Sequence, residues 1–546
     1  MSAVSADASS PVLQVRGLTV KLPAGADRAN AVENIDLEVF PQEIVCVVGE
    51  SGSGKSVTAF SIMGLLPKGQ LVPVAGTITL QGEDILTASP QRLRALRGSR
   101  MSMIFQEPMT ALNPVIPVGD QIAEVIETHG AGAGAARDRI IGLLESVGLP
   151  EPAQLRQAYP HQLSGGQRQR IMIAMALALE PALIVADEPT TALDVTTQAQ
   201  ILRLIKSIQA EHRSGVLFIT HDFGVVAEIA DRVAVMKDGV IVESGPARDV
   251  LARPQHPYTR MLIAAVPSVT PRARPPIGAA PVVLATRELT KVYKAGGWLQ
   301  AAREVRAADA VSLTVRRGET LGIVGESGSG KSTVARCVAR LIAPTSGGIA
   351  LDGVEIAGLS AHRLRPHRRR IQIIFQDPYR SLNPRRTVGK SIVEGPLNFG
   401  LARSEAWARA HALLELVGID RSAIDRYPHQ FSGGQRQRIC IARALAMEPA
   451  LLIADEAVSA LDVSVQAQVL ALLDDVKRRF DLAMLFITHD LRVAAQVCDS
   501  VAVMLKGRVV EYGSAAEIFA APRHEYTRAL FDAAPGRGWQ FGAAAE

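Results

Sequence analysis

The stretch GESGSGKS occurs twice in this chain of 546 residues, at Gly49–Ser56 and again, letter for letter, at Gly325–Ser332. Each copy directly follows a short apolar run typical of a buried strand, EIVCVVG in the first case and LGIVG in the second, and precedes a helical pattern. This is the context that identifies G-x-x-x-x-G-K-[ST] as a P-loop. A Gly/Ser-rich turn is the alternative, but two identical matches in the same context argue strongly against it.

The chemistry of such a loop assigns roles to its residues. Glycines let backbone N–H groups curl around a polyphosphate at the start of a helix, Lys55 and Lys331 would meet the β- and γ-phosphates, and Ser56 and Ser332 would ligate Mg²⁺. The residues predicted to bind the nucleotide here are Gly49, Glu50, Ser51, Gly52, Ser53, Gly54, Lys55, Ser56, Val57, Gly325, Glu326, Ser327, Gly328, Ser329, Gly330, Lys331, Ser332 and Thr333.

The repeat extends far beyond this loop. LSGGQRQRI and FSGGQRQRI lie 268 positions apart, and so do LIVADE and LLIADE, FITHD and FITHD, and two later tyrosines. A constant offset over this length indicates a tandem duplication of one domain. We predict a leader at 1–10, domains at 11–267 and 282–535, and a tail at 536–546. The Pro-, Ala- and Arg-rich segment 268–281 would be an extended, semi-rigid linker.

Composition places limits on the class of protein. Hydrophobic residues make up 48% and charged residues 21%, and the net charge is +5, which does not by itself argue for nucleic acid. The four cysteines form no CxxC pair or Cys/His cluster, which argues against zinc, iron–sulfur and disulfide frameworks. No signal peptide or run long enough to span a membrane is evident. We therefore expect a soluble, cytosolic protein whose membrane role would come through partners.

Short Val/Ile-rich runs alternate with helical patterns in each copy, which predicts an α/β fold with a largely parallel sheet. Asp187 and Asp455 end two of these runs, at the carboxyl end of a predicted parallel strand. Ligands bind at that end of the strands in open α/β sheets, and a carboxylate there can hold Mg²⁺. Glu188 and Glu456 follow them and are the candidate catalytic bases for hydrolysis. A solvated turn is the alternative for an isolated Asp-Glu pair.

Three further motifs surround this site. SGGQ precedes a helical stretch in both copies, so that Ser164 and Ser432 are predicted N-caps beside a second anion-binding device. His221 and His489 follow a strand and could hydrogen-bond a γ-phosphate, although a lone His is usually structural. Gln106 and Gln376 follow the runs SMIF and QIIF, where an amide could contact metal or water. The predicted SGGQ residues are Ser164, Gly165, Gly166, Gln167, Ser432, Gly433, Gly434 and Gln435.

Together these motifs, in this order, resemble those of the ATP-binding cassette (ABC) ATPases. The resemblance covers nearly the whole chain and includes the segments Ala192–Asp194 and Ala460–Asp462. It implies two tandem P-loop NTPase domains of ABC type, each a largely parallel core sheet with an added helical subdomain. It also implies that the cassettes pair head to tail, with each nucleotide between one P-loop and the other cassette's SGGQ segment. ATP and Mg²⁺ are the implied cofactors, and Ser56, Gln106, Asp187, Ser332, Gln376 and Asp455 the implied metal-site residues.

A narrower resemblance involves PQHPYTRMLIAAVP (Pro254–Pro267) and PRHEYTRALFDAAP (Pro522–Pro535), which are similar to the C-terminal extension of peptide/nickel-type importer ATPases. It implies an energy-coupling subunit for import of dipeptides, oligopeptides, glutathione or related solutes. The implied partners are two integral-membrane permeases and an extracytoplasmic solute-binding protein, with no nucleic acid. The implied location is peripheral, on the cytoplasmic face of a bacterial inner membrane. One departure is Ala457, where the family usually has proline; activity is expected to survive it.

The two nucleotide sites are expected to differ at the adenine. Cassettes of this kind usually stack an aromatic ring on the base, and aligning RELTKVYKAG with RGLTVKLPAG places Tyr293 opposite Leu22. Tyr293 is therefore the predicted adenine platform of the second site. Phe40 is the only aromatic before Gly49 in the first copy and is expected in the core. The alternative is that Tyr293 is only a strand residue and that Trp298, or no aromatic, contacts the base.

Two other functions remain as alternatives. A soluble tandem ABC ATPase acting on ribosomes or DNA would typically have a long charged helical linker or zinc modules, and this sequence shows neither. An exporter would usually carry membrane spans in the same chain or have other partners. The basic run AHRLRPHRRR (Ala361–Arg370) could contact nucleic acid, but a solvated helical face is the favoured interpretation.

Overall fold

The computed structural model describes residues 10–130, 133–191, 193–275, 277–295, 303–459 and 461–539. The predicted leader up to residue 9, the tail from residue 540, Ala192, Ala460 and Trp298 lie outside the described residues. The chain forms two compact units, the first containing the described residues up to Leu193 and Thr197–Val266, and the second mainly Pro267–Ala534.

Unit 1 combines ten strands with eleven α-helices among its described residues. The strands are β1 (Leu13–Lys21), β2 (Asn30–Val39), β3 (Ile44–Val48), β4 (Val72–Leu80), β5 (Glu83–Asp84), β6 (Met101–Ile104), β7 (Leu183–Asp187), β8 (Gly215–Thr220), β9 (Arg232–Lys237) and β10 (Val240–Pro246). The helices are α1 (Lys55–Ile62), α2 (Pro90–Leu96), α3 (Pro108–Ala111), α4 (Val118–Thr128), α5 (Ala133–Ser146), α6 (Pro152–Leu155), α7 (Gly165–Leu177), α8 (Val195–His212), α9 (Phe223–Ile229), α10 (Ala247–Ala252) and α11 (Pro257–Ala264).

Unit 2 repeats this order among its described residues, with an additional short strand, β13, and without an α-helix at the position of α6. Its strands are β11 (Val282–Ala295), β12 (Arg303–Val311), β13 (Thr314–Arg316), β14 (Thr320–Val324), β15 (Ser346–Leu351), β16 (Val354–Glu355), β17 (Ile371–Ile374), β18 (Leu451–Asp455), β19 (Ala483–Ile487), β20 (Ser500–Leu505) and β21 (Arg508–Ser514). Its helices are α12 (Lys331–Val338), α13 (Ala361–Arg368), α14 (Pro378–Ser381), α15 (Val388–Asn398), α16 (Arg403–Leu416), α17 (Gly433–Leu445), α18 (Val463–Phe480), α19 (Leu491–Val497), α20 (Ala515–Ala520) and α21 (Glu525–Asp532).

The core sheet of each unit has six strands. Its order in unit 1 is β10-β9-β3-β8-β7-β6, and the corresponding order in unit 2 is β21-β20-β14-β19-β18-β17. All neighbours are parallel except the terminal β9–β10 and β20–β21 pairs. Every residue of β3, β7 and β8 is buried, because helices cover both faces of a parallel sheet. This confirms the predicted largely parallel core.

A second, antiparallel sheet accompanies each core and was not predicted from the sequence. Its order is β2-β1-β4-β5 in unit 1, and β12-β11-β15-β16 in unit 2, where β13 also pairs with β11. The alternating burial of β1 shows that this sheet presents one face to the core. Its strands are interrupted by several register shifts, which obscure the period-two pattern in the sequence.

The added helical subdomain is formed by the chain between β6 and β7, and by its counterpart between β17 and β18. The longest apolar stretch of the sequence, IMIAMALALEPALIVA, folds into the buried part of α7 followed by the buried strand β7. The basic run forms α13, in which Leu364 is the only buried residue. Arg369 and Arg370, just after it, pair with Glu448 and Asp352, so this segment is a solvated, ion-paired surface.

The described part of the predicted linker, residues 268–281, belongs to unit 2. The Gln496 side chain, at the end of α19, donates hydrogen bonds to the carbonyls of Ser268 and Thr270, both 2.9 Å long. Arg274 donates to the Gln496 carbonyl at 2.8 Å. The described part of the segment has no helix or strand before Val282, but these contacts hold it to one unit.

Two further features concern the whole chain. All four cysteines are buried free thiols. Among the described residues, no helix combines the length and the apolar character needed to cross a bilayer.

Candidate functional site

The P-loop of each unit turns at the carboxyl edge of the core sheet, between the middle strand and the first helix. Gly54 precedes α1 with φ 104°, and a Cβ there would lie 2.7 Å from the Ala31 carbonyl oxygen. Gly330 precedes α12 with φ 103°, and a Cβ there would lie 2.0 Å from the Ala307 carbonyl oxygen. Both the conformation and the close approach require glycine. The result is a tight loop that leads into a helix N-terminus.

The loop lysines are buried against the loop's own backbone. Lys55 is 6% exposed, and its Nζ donates to the carbonyl oxygens of Gly49 at 2.7 Å and Glu50 at 2.9 Å. Lys331 makes the same two contacts in unit 2, both at 2.8 Å. Burial lowers the pKa of Lys331, and the nearby Glu456 carboxylate opposes that shift. Each loop therefore holds a buried cation.

One buried polar atom in each loop lacks a partner. The Ser53 and Ser329 side chains are 4% and 3% exposed, and neither hydroxyl makes a hydrogen bond to any residue that the structure describes. A buried hydroxyl without a partner costs free energy, so an unpaired one at a functional loop calls for an explanation. A polar group within the loop would satisfy it, and a phosphate oxygen is such a group.

A serine and an aspartate meet beside each lysine. Ser56 Oγ donates to Asp187 Oδ1 at 3.2 Å, and Ser332 Oγ donates to Asp455 Oδ1 at 2.9 Å. Burial raises the pKa of Asp187 to about 6, opposed by the Ser56 hydrogen bond. Burial likewise raises the pKa of Asp455. A buried carboxylate whose charge is disfavoured, next to a hydroxyl oxygen, is a donor set that fits Mg²⁺.

Glu188 follows β7 in a left-handed conformation, with φ 46°. Its carboxylate accepts hydrogen bonds from Gln106 Nε2 and Thr191 Oγ1, both at 2.9 Å, and lies 3.3 Å from His221 Nδ1. Burial would raise the pKa of Glu188, but hydrogen bonds from His221 and Thr191 and the charges of His221 and Lys55 together outweigh burial and hold this pKa at about 2. The carboxylate is therefore ionised and oriented by three side chains.

Glu456 repeats this arrangement with one change. Its φ is 51°, it accepts a hydrogen bond from Gln376 Nε2 at 2.8 Å, and it lies 3.5 Å from His489 Nδ1. Burial opposes the shift, yet the His489 contact lowers the pKa of Glu456 and raises that of His489. Ser459 occupies the position of Thr191. Its hydroxyl donates to the backbone carbonyl of Glu456, whereas the Thr191 hydroxyl donates to the Glu188 carboxylate. Ala457, at the proline position, is buried.

The SGGQ residues lie at the start of a subdomain helix in each unit. Ser164 caps α7, with its hydroxyl accepting from Gln167 N at 3.2 Å while Gln167 Oε1 accepts from Ser164 N at 2.9 Å. Ser432 and Gln435 form the same capping box on α17. The predicted N-caps are present, and the glutamine side chains serve the cap.

The adenine-platform candidates are placed as follows. Tyr293 lies in β11 with 43% of its surface exposed, and Lys291 Nζ lies 5.2 Å from its ring centroid. Leu22 is half-buried just after β1. Phe40 was expected in the core, but it lies just after the end of β2 and is only half-buried, with the Arg232 guanidinium carbon 5.8 Å from its ring centroid.

Two residues at this site were missed from the sequence. Tyr258 and Tyr526, in the C-terminal segments of the two units, bond the second residue of the P-loop. The sequence could have indicated them through their offset of 268 positions, which the SGGQ, Asp-Glu and His motifs share. Their contacts join segments about 200 residues apart, which local spacing does not reveal.

Comparison with known families identifies the repeated domain. Residues 32–191 and 308–459 match the family described as ABC transporter. Residues 242–291 and 510–539 match the family described as oligopeptide/dipeptide transporter, C-terminal region.

Several curated proteins are similar over nearly the whole chain. A peptidoglycan transport ATP-binding protein of Agrobacterium fabrum is 49% identical, covering 96% of this chain and 97% of its own. Glutathione import ATP-binding proteins of Salmonella paratyphi A and Escherichia coli O157:H7 are 47% and 48% identical, covering 96% of this chain and 90% and 89% of their own. The chain therefore belongs to the ABC transporter family, with two ATP-binding cassettes in tandem.

Proposed function

We propose that this chain is the ATP-hydrolysing, energy-coupling subunit of a binding-protein-dependent importer for peptides or related solutes. The observation that carries this proposal is that each P-loop unit ends in an oligopeptide/dipeptide transporter C-terminal region, whose tyrosine contacts that unit's P-loop. Relatives of nearly the same length are named for peptidoglycan transport and glutathione import, which supports a peptide-like solute.

In this proposal the P-loop residues bind the nucleotide phosphates. The buried ammonium groups of Lys55 and Lys331, now held by loop carbonyls, would exchange those partners for phosphate oxygens. The unpaired hydroxyls of Ser53 and Ser329 would gain partners at the same time. Because the loops are already folded around these groups, little reorganisation is needed to bind.

Mg²⁺ would be held by a hydroxyl, a carboxylate and an amide in each unit. When bound, the metal supplies positive charge that offsets charge developing on the phosphates. The residues assigned to it are Ser56, Gln106, Asp187, Ser332, Gln376 and Asp455.

Glu188 and Glu456 would act on the attacking water. Each carboxylate is fixed by a glutamine amide and a histidine ring, so it can accept a hydrogen bond from a water in a fixed direction. Its low pKa makes it a weak base near neutral pH, which favours orientation of the water over prolonged retention of its proton. His221 and His489 would act by orienting these carboxylates.

The partners in this proposal are two integral-membrane permeases and an extracytoplasmic solute-binding protein. The chain would sit peripherally on the cytoplasmic face of a bacterial inner membrane, held there by the permeases. Expressed alone, it should stay in the supernatant after ultracentrifugation, and it should sediment with membranes once the permeases are co-expressed. Firm membrane attachment without any permease would contradict this location.

The decisive experiment is reconstitution with two integral-membrane permeases and a solute-binding protein of a peptide importer from the same organism. ATPase activity should rise when the binding protein is loaded with its peptide, and a Lys55→Ala, Lys331→Ala double variant should abolish it. Activity that responds to ribosomes or DNA and ignores the loaded binding protein would reject the importer function. Calorimetric titration of the binding protein with dipeptides, longer peptides and glutathione would identify the solute.

A further inference from the structure

The C-terminal segment of each unit reaches back to the nucleotide-binding loop through one tyrosine. The backbone N–H of Glu50 donates to the Tyr258 hydroxyl at 3.3 Å, and that of Glu326 donates to the Tyr526 hydroxyl at 3.0 Å. In both cases the acceptor belongs to the short helix that ends the unit, α11 or α21. The same contact made twice at equivalent positions indicates a retained feature of the domain.

A carboxylate clamp fixes the turn that carries the tyrosine. Glu243, on β10, accepts hydrogen bonds from the backbone N–H groups of Gln255 at 2.7 Å and His256 at 3.0 Å. His256 caps α11, its Nδ1 accepting from Tyr258 N at 3.2 Å. Unit 2 repeats the clamp and cap at Glu511, Arg523, His524 and Tyr526. Glu243 and Glu511 thus tie the turn before each tyrosine to a strand of the core sheet.

The peptide groups of Glu50 are held from two sides. Its N–H binds the tyrosine hydroxyl, and its carbonyl accepts a hydrogen bond from Lys55 Nζ at 2.9 Å. At Glu326 the corresponding carbonyl accepts from Lys331 Nζ at 2.8 Å. The hydroxyl therefore sets the position of a loop residue that the phosphate-binding lysine itself contacts.

The hydroxyls are neutral groups at every physiological pH. Burial raises the pKa of Tyr258 above its ordinary value, and burial raises that of Tyr526 to about 12. Tyr258 also donates to Glu50 Oε2 at 3.0 Å, and Lys237 Nζ lies 5.1 Å from its ring centroid. The hydroxyl of Tyr258 is thus both acceptor and donor to a single loop residue, which restricts that residue further.

We propose that Tyr258 and Tyr526 are positioning residues, each of which fixes the P-loop of its own unit in the conformation that binds nucleotide. This inference rests on the proposed nucleotide binding by the two loops. Neither tyrosine is assigned to the phosphates, so each acts through the loop backbone. Without the hydroxyl, the loop must be ordered at the moment of binding, and affinity falls.

The test is calorimetric titration of the full chain with Mg-ADP, one site at a time. In a Lys331→Ala background, where the first loop remains intact, Tyr258→Phe should weaken ADP binding about 2- to 10-fold, the worth of one net hydrogen bond. Tyr526→Phe in the same background should leave the affinity unchanged. In a Lys55→Ala background, where the second loop remains intact, Tyr526→Phe should weaken ADP binding and Tyr258→Phe should leave the affinity unchanged.

A purely structural role would give a different pattern. If the substitution only unfolds part of the protein, the apparent number of sites and the melting temperature fall while the affinity of the remaining sites is unchanged. If the tyrosines position the loops, the Tyr258→Phe, Tyr526→Phe double variant has a higher KM for ATP and an unchanged kcat. Tyr512→Phe, which removes a half-exposed hydroxyl of β21, is the matched control and should change neither constant.

The outcomes separate this inference from the function on which it rests. Failure of the wild-type chain to bind ADP would overturn the nucleotide-binding proposal itself. A different result would overturn only the positioning role. In it the wild type binds ADP, and the Lys331→Ala protein binds ADP equally tightly with and without Tyr258→Phe. Weakening of both sites by either single substitution would also overturn it, because each tyrosine hydroxyl bonds the P-loop of its own unit.

Discussion

At the residue scale, the carboxylates that follow the two core strands are the most informative groups. Glu188 and Glu456 adopt φ values of 46° and 51°, a conformation that costs about 1 kcal/mol or more for a residue with a side chain. Each N–H bonds the neighbouring strand, to the Ile219 and Ile487 carbonyls, both at 3.0 Å. The same supported backbone strain in both copies agrees with the catalytic role that we propose for the two carboxylates.

The first prediction concerns these two residues. Glu188→Gln and Glu456→Gln should each retain nucleotide binding and lose hydrolysis by about 10²–10⁴-fold, the usual effect of removing such a carboxylate. Either change alone should abolish most of the hydrolysis, because both copies place a glutamine and a histidine on the glutamate and the sequence predicts shared sites. Phosphate release and ADP titration measure the two properties. Near-normal hydrolysis by Glu456→Gln would show that the second site is not required.

The second prediction concerns adenine. The exposed ring of Tyr293 can stack on a base, and stacking is worth about 1–3 kcal/mol, or roughly 5- to 150-fold in affinity. The site built on Lys331 should therefore bind ATP more tightly than the site built on Lys55. In a nucleotide titration, Tyr293→Ala should weaken binding at the site built on Lys331. Leu22→Tyr should strengthen binding at the site built on Lys55 or leave it unchanged. Unaltered affinity in Tyr293→Ala would discard this assignment.

At the element scale, the sequence predicts those elements whose residues share one environment. The strands β3, β7 and β8 are buried on both faces, so their apolar runs are continuous, and the carboxyl ends of these neighbouring strands bring Lys55, Asp187 and His221 to one edge. The antiparallel sheet was missed because register shifts in β1 break its alternation. The tyrosine contact was missed because tertiary packing alone creates it.

The third prediction concerns the capping box of α7. Ser164→Ala should remove the side-chain cap and cost about 1 kcal/mol of stability, measured as a lower melting temperature of unit 1. Ser164→Asn keeps a good N-cap and should melt like the wild type. If the serine hydroxyl also contacts nucleotide, Ser164→Asn should still lose ATPase activity. Full activity in Ser164→Asn would limit this serine to capping.

At the scale of the whole molecule, the segment between the cassettes is anchored more firmly than its composition predicts. Arg274 is 15% exposed and lies 3.5 Å from both Asp474 and Asp499, while Lys477 pairs with Asp499 at 3.1 Å. The Pro-rich sequence indicated extended backbone, but not this cluster, because its acidic partners come from α18 and from the residue just before β20, some 200 residues away.

The fourth prediction is that Arg274→Ala destabilises unit 2. Losing hydrogen bonds to charged and backbone partners in a largely buried cluster should cost about 1.5–3 kcal/mol, measured by urea unfolding of unit 2. The control is Arg317→Ala, because Arg317 and its partner Asp481 are 3.9 Å apart and exposed, and such pairs contribute about 0–1 kcal/mol. Equal destabilisation by both changes would show that the linker cluster has no special role.

The burial of the four thiols has a practical consequence for spectroscopy. Burial raises the pKa of Cys337 and Cys440 to about 11 and that of Cys498 to about 12, and it also raises the pKa of Cys46. Thiolates are the reactive form, so a maleimide dye should label no cysteine of the native chain and four after denaturation. Rapid labelling of the native chain would contradict this burial. A single cysteine placed on the surface, as in Ser207→Cys, would then report fluorescence changes during turnover without removal of any native thiol.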